Sequence, residues 1–150
     1  MESLVNFLRS NEKYFILGKG SNSIVNPSAD VKTIVKISET FCDPVYESPY
    51  LTLSAGLSIH KALKFCEKRG LSALEFGAGV PASIGGMIAM NFGCWGQEMV
   101  NIVHRVTAIS ADGELMELSA KDCLFGYRSS IFQSKNWIIL SAQLKVEESS

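Results

Sequence analysis

The chain has 150 residues, 47% hydrophobic and 19% charged, with a net charge of −1. That length suits one domain or parts of two and is enough to bury a real core. The near-neutral balance gives no electrostatic pull toward nucleic acid or an anionic membrane.

Four cysteines, Cys42, Cys66, Cys94 and Cys123, stand far apart with no CxxC and no secretory signal. They read as reduced thiols of a cytoplasmic protein, not as a disulfide frame or a metal site. His60 and His104 are the only imidazoles and receive no ligand role.

From the N-terminus, "ESLVNFLRS" sets Leu4, Val5 and Leu8 at helical spacing. "YFILG" reads as a short buried strand running into the glycine turn "GKGSNSIV". "VKTIVKI" and "YLTLSAG" are further strands, separated by an irregular "ETFCDPVYESP". "LSIHKALKFCEKRG" predicts a helix with Ser58 as cap, Ile59, Ala62, Leu63 and Cys66 on one face, and Gly70 as stop. Its Lys61, Lys64 and Lys68 face solvent in this reading. Pro81 suits the N-terminus of a helix over "ASIGGMIAM", which would present free N–H groups to an anion, and "NFGCWG" reads as a small-residue turn. Ala111-Asp112-Gly113 is a hairpin signal between "IVHRVTAIS" and "ELMELSA". "SAKDC" suggests a brief helical turn, and "NWIILSAQLKV" a last strand before the polar tail "EESS". Strands and helices mix without strict alternation, which predicts an α+β fold, or α/β with mixed sheets.

The block Gly77–Gln97 carries no charge but six glycines and a proline. It is nearly as long as a membrane span, yet glycine, Pro81, Asn91 and Gln97 leave it little lipid-facing surface, and Glu75 and Glu98 flank it. No membrane segment is expected. Two glycine regions remain to be explained. In "GKGSNS", Gly18 and Gly20 clear space beside backbone N–H groups, and Ser21, Asn22 and Ser23 add short donors, an arrangement suited to diphosphate oxygens; an ordinary tight turn fits the same residues. The motif is not a P-loop. Gly77, Gly79 and Ala82 match GxGxxA with Glu98 further on, a dinucleotide fingerprint, although Pro81 lies inside it and no second strand completes a βαβ unit. Gly85 and Gly86 allow close approach of a ligand or of a neighbouring element. Together the two regions suit the walls of a cleft for a dinucleotide-sized cofactor, or helix packed closely on sheet.

The order of these motifs resembles the UDP-N-acetylenolpyruvoylglucosamine reductases, bacterial flavoenzymes of cell-wall synthesis. "LGKGSNSIV", "LSALEFGAGVPASIGGMIAMNFGCWGQEM", "DGELMELSAKDCLFGYRSSIF" and "IILSAQLKV" are similar to that family's motifs in the same order. The resemblance implies a two-part FAD-binding fold of the vanillyl-alcohol oxidase type, divided as 1–48 and 49–150. It implies that the chain is truncated at both ends and lacks the family's C-terminal substrate domain. It further implies that Gly18, Lys19, Gly20, Ser21, Asn22 and Ser23 cradle the FAD diphosphate. Gly79, Val80, Pro81, Ser83, Ile84, Gly85 and Gly86 would line the cofactor, with Asn91, Gly93 and Gly96 nearby. Lys19, Ala82, Phe92, Cys94 and Trp95 depart from the family's usual residues.

By the same resemblance NADPH reduces FAD, which passes hydride to the enolpyruvyl group of UDP-N-acetylglucosamine enolpyruvate in the cytoplasm. That places the complete enzyme in peptidoglycan synthesis, and so in cell shape, cell cycle and division. Arg128 matches the catalytic arginine, with Tyr127 and Ser130 as its neighbours in the motif. The general-acid serine and a late glutamate belong to the domain expected to be absent, so the chain alone is expected to be inactive. The alternative is a free-standing flavin- or dinucleotide-binding module, working with a partner chain that supplies the missing domain.

Overall fold

In the computed structural model, residues 2–10, 13–28, 30 and 33–149 are described. Helix α1 (Glu2–Arg9) leads to strand β1 (Tyr14–Ile16), which pairs in parallel with β2 (Thr33–Val35) in a small sheet of its own. Val31 and Lys32 of the predicted second strand lie outside the described residues. Then come β3 (Val45–Glu47), β4 (Tyr50–Ser54), α2 (Ile59–Glu67), β5 (Leu71–Ser72), a 3-10 turn at Glu75–Gly77, and α3 (Ile84–Ala89). A miniature hairpin of β6 (Gly93–Cys94) and β7 (Gln97–Glu98) precedes α4 (Met99–Ile102). The chain continues through β8 (Val103–Ile109), β9 (Leu115–Ser119), α5 (Ile131–Lys135), β10 (Ile138–Lys145) and β11 (Glu147–Glu148).

The main sheet is antiparallel throughout, in the order β3-β4-β10-β8-β9. One face carries Leu51, Leu53, Val106, Ala142 and Leu144 against the buried faces of α2 and α3, forming the larger core. At the other end of the sheet, Ile109, Ile138 and Leu140 turn to the opposite face and meet Leu8 of α1 and Ile16 and Val35 of the small sheet. This explains why "IIL" opens the last strand as a continuous apolar run: neighbouring residues there are buried on both faces. The fold is α+β, as the residue pattern predicts.

Local chemistry accounts for most boundaries. The Ser58 Oγ accepts the Lys61 N–H at 3.4 Å and caps α2, while Gly70 takes φ +61° beyond its end. The turn between β8 and β9 closes with the Ser110 N–H donating to the Glu114 carbonyl at 2.9 Å, and Gly113 takes φ +81°. Four features differ from the sequence reading. Strand β1 is not buried: Phe15 is 44% exposed and Tyr14 and Ile16 are only partly covered, because its small sheet has two strands and packs on one face only. Pro81 does not start α3: the helix begins at Ile84, and Ser83 caps it by accepting the Gly86 N–H at 3.3 Å. Within "ETFCDPVYESP", Val45–Glu47 forms an edge strand on β4, so the change of sheet falls between Val35 and Val45. The tail Glu147–Glu148 is not loose; it pairs with Ser72 and Leu71, and Tyr46 Oη donates to Glu148 Oε1 at 2.7 Å. Among the described residues no helix is long and apolar enough to cross a membrane, and the four cysteines are free thiols.

Candidate functional site: a cleft between the glycine regions

A cavity of about 920 Å³ lies between the small sheet and the α3 side of the main sheet. Its walls are the turn Gly18–Ser23, the segment Lys36–Glu39, Ala55 and Gly56, residues from Val80 to Phe92, and the group Phe132, Gln133, Asn136, Trp137 and Ile139. The two glycine regions that sequence reasoning set side by side therefore do face each other. Gly18, Lys19, Gly20, Ser21, Asn22, Ser23, Val80, Pro81, Ser83, Gly85 and Gly86 line this space, whereas Gly79, Ile84, Asn91, Gly93, Gly96 and Arg128 lie outside its lining.

The first glycine turn has the stronger claim on an anion. The Leu17 N–H still bonds the Val35 carbonyl at 2.9 Å, and the Ser23 N–H bonds the Gly20 carbonyl at 3.3 Å. Among the described residues, the intervening N–H groups of Gly18, Lys19, Gly20, Ser21 and Asn22 find no acceptor. Gly20 takes φ +78°, the left-handed geometry that lets successive N–H groups converge into a nest. These residues are half-buried or exposed, so their N–H groups are open to water, and a run of donors without a protein acceptor on a cavity wall is available to an acidic ligand.

The start of α3 behaves differently from the expectation of a free N-terminus. The Ile84 and Gly85 N–H groups donate to the carbonyls of Leu57 (2.9 Å) and Ala55 (2.8 Å), and the Gly86 N–H to Ser83 Oγ. Gly85 is a packing glycine: a Cβ there would stand 2.8 Å from the Ala55 Cβ. Ile84 is fully buried in the core. The small residues of this block bring α3 onto β4 and leave Gly86 and Ser83 on the cavity side.

The dinucleotide fingerprint does not form. Gly77 ends a 3-10 turn, wedged so tightly that a Cβ would meet Ile59 and Met87 at 2.9 Å. Glu98 is occupied elsewhere, accepting the Asn91 Nδ2 at 2.8 Å. The window thus has neither the strand before it nor the carboxylate after it.

Beyond Phe92, at the edge of the cavity, the guanidinium of Arg128 stands 5.2 Å from the Phe92 ring centroid and donates to the Gly93 carbonyl at 2.8 Å. The Tyr127–Arg128 pair forms a two-residue turn closed by reciprocal Gly126–Ser129 backbone bonds, with Arg128 at φ +52°. Arginine in the left-handed region costs about 1–2 kcal/mol, and such strain gathers at functional sites. Ser130 Oγ donates to the Ala89 carbonyl at 2.6 Å, and Asn91 Nδ2 reaches the Gly126 carbonyl at 3.1 Å. Both bonds pin the arginine's turn to the end of α3. Asn91 Oδ1 also accepts the Val100 N–H at 3.0 Å, so its buried amide is spent inside the protein. Tyr127 itself is 87% exposed.

Sequence reasoning did not single out Lys36–Glu39, Phe132, Gln133, Asn136 or Trp137 as part of this cavity. Phe132 closes the "FGYRSSIF" segment and could have been found there. The others carry no motif and arrive by tertiary folding.

A fold of two glycine-walled parts around a dinucleotide-sized cleft defines a class. The chain belongs to the FAD binding domain family, whose model matches residues 1–119. Within it the chain is similar to the UDP-N-acetylenolpyruvoylglucosamine reductase of Clostridioides difficile (strain 630), 33% identical over 135 residues, which are 90% of this chain and 44% of that protein. It is also similar to the crystal structure of UDP-N-acetylenolpyruvylglucosamine reductase from Thermus caldophilus, with a TM-score of 0.81 at 27% identity over 99% of this chain and 53% of that one. Cholesterol oxidase from Brevibacterium sterolicum, at 18% identity and a TM-score of 0.70 over 98% of this chain and 33% of that one, shares the fold alone. The chain spans about half the length of the curated relatives it matches.

Proposed function

We propose that this chain is the FAD-binding part of a UDP-N-acetylenolpyruvoylglucosamine reductase, divided into a first FAD-binding subdomain around β1–β2 and a second around the main sheet. The observation that carries the proposal is the run of N–H groups from Gly18 to Asn22 without an acceptor among the described residues, on residues that line a cavity of about 920 Å³. That volume lies in the range of cofactor sites. The donors suit a diphosphate, and the wall of Pro81, Ser83, Gly85, Gly86 and Met90 offers a nearly uncharged surface for flat rings.

FAD, when bound, supplies the hydride chemistry, with NADPH as the reductant of the complete enzyme. The chain's own residues orient and polarise. Gly18–Ser23 hold the diphosphate. Arg128, fixed in its strained turn beside Phe92, would offer a planar donor fork to the substrate carboxylate. Charge that builds on the enolpyruvyl carboxylate during hydride addition is stabilised by a donor already in place. The proton that completes the reduction would come from the general-acid serine that the family resemblance places in the substrate-binding region of the complete enzyme.

The experiment is a flavin absorbance spectrum of the purified chain, followed by FAD titration of the apoprotein. Saturable 1:1 binding is expected. A chain that folds and binds no FAD overturns the proposal; one that binds FAD and, joined with the substrate-binding half of a relative, still fails to reduce the enolpyruvyl substrate favours a flavin module without reductase activity.

A further inference from the structure

A carboxylate lines a cavity assigned to a diphosphate. Glu39 is part of the wall, with Lys19 and Lys36 as the other charged lining residues among those described. Its two oxygens are divided between two ammonium groups. Lys19 Nζ, from the glycine turn, stands 2.8 Å from Oε1, and Lys61 Nζ, from α2, stands 2.5 Å from Oε2. These donors hold the Glu39 carboxyl down at about 2, Lys19 first and Lys61 second, so it is ionised at neutral pH. The bridge joins the glycine turn, the segment after β2 and the first turn of α2 across the cleft mouth.

Two facts give this trio a direction. Lys19 lies within the donor nest, so a phosphate seated on Gly18–Asn22 comes within reach of its flexible side chain. Lys61 is absent from the cavity wall and has no other anionic partner among the described residues. A dianion entering the nest competes with Glu39 for Lys19. A carboxylate deprived of both cations would repel that dianion, whereas one still paired with Lys61 is largely neutralised.

We propose that Lys19, Glu39 and Lys61 form a charge-exchange latch. Glu39 holds Lys19 while the cleft is empty, Lys19 transfers to the cofactor diphosphate, and Lys61 stays behind to neutralise Glu39. Lys61 thereby governs cofactor affinity without touching the cofactor. The latch rests on the FAD assignment above and adds two residues, Glu39 and Lys61, that no motif identifies.

The test is a double-mutant cycle on FAD affinity, read by flavin fluorescence at fixed low salt. Lys61→Met weakens FAD binding by about threefold or more, the scale of one partly exposed ion pair. Glu39→Gln tightens it, since Lys19 is then free and the cleft loses a negative charge. In the Glu39→Gln background, Lys61→Met has little further effect, and raising the salt shrinks every difference. Equal losses from Lys61→Met with and without Glu39, or tight binding indifferent to all three variants, overturn the latch alone. Failure of the unmodified chain to bind FAD overturns the FAD assignment and the latch with it.

Discussion

Gly18 and Ser83 meet where the two glycine regions touch: a Cβ on Gly18 would lie 2.7 Å from the Ser83 Oγ. Ser83 cannot withdraw freely, because that oxygen also caps α3 through the Gly86 N–H. One contact therefore couples the Gly18–Ser23 turn to the helix that forms the opposite wall.

Gly18→Ala should separate the walls. The expected cost is about 1–3 kcal/mol of stability from overpacking, together with weaker FAD binding. Urea unfolding of the apoprotein and FAD titration measure the two effects. An alanine variant equal to the parent in both would show that the walls are not in firm contact.

Gly85 and Gly86 are neighbours in one helix with opposite duties. Gly85→Ala drives a methyl into Ala55, and overpacking of about 1–3 kcal/mol exceeds the gain of about 1 kcal/mol in helix propensity. Gly86→Ala meets only the Ser83 Oγ, at 3.2 Å, and projects toward the cavity. The first variant should lower the thermal midpoint by several degrees, because its methyl is directed onto Ala55. The second should keep the midpoint and lose FAD affinity. A reversed pattern in calorimetry and titration would contradict the division of roles.

Asn91 is nearly fully buried and makes three hydrogen bonds, to Glu98, Gly126 and Val100. Asn91→Ala strands those partners, one of them a carboxylate, and should cost about 2–4 kcal/mol. Chemical denaturation measures the loss, and proteolysis should then cut first near Gly126–Ser129, the turn that Asn91 ties down. Unchanged stability would mean that water replaces the amide.

Arg128 should behave as a residue kept for chemistry at the expense of stability. Arg128→Asn relieves left-handed strain of about 1 kcal/mol, against which stands the lost bond to the Gly93 carbonyl. The thermal midpoint should hold or rise, FAD affinity should stay nearly unchanged, and reduction of the enolpyruvyl substrate by the complete enzyme should collapse. A large loss of FAD affinity would make Arg128 a cofactor or structural residue.

Burial pushes the thiols of Cys66 and Cys123 up to about 11 and about 12, with the charges of Glu75 and Asp122 adding to the effect. Both pKa values lie above the ordinary value near 9.0, so the stability these neutral thiols contribute is complete below about pH 9. It is lost as the pH rises from there through the folded values. At pH 8 an aromatic disulfide reagent should label Cys42 and Cys94 in the native chain and reach Cys66 and Cys123 only after unfolding. Rapid modification of all four would show that the core opens.

By itself the sequence determined what depends on near neighbours along the chain. The α2 cap at Ser58, the stop at Gly70 and the hairpin turn at Gly113 follow from local hydrogen bonding and backbone freedom. The glycine-and-serine run at Gly18–Ser23 and the order of the motifs were equally plain, and with them the kind of ligand. What depends on distant partners was not legible. Glu147–Glu148 becomes a strand only because Leu71 and Ser72 offer an edge, and Val45–Glu47 only because β4 does. The first N–H groups of α3 look like an anion site in the sequence until Ala55 and Leu57 take them. Asn91 resembles a ligand contact until folding spends its amide on internal hydrogen bonds, and the contact of Gly85 with Ala55, made while it still lines the cavity, has no signal in the sequence. Lys61 reads as a solvent-facing charge and becomes part of the cleft mouth only when Glu39 is brought to it across 22 residues. Propensity and turn chemistry act over a few residues, whereas the satisfaction of donors, carboxylates and van der Waals space is settled between segments that only the tertiary fold brings together.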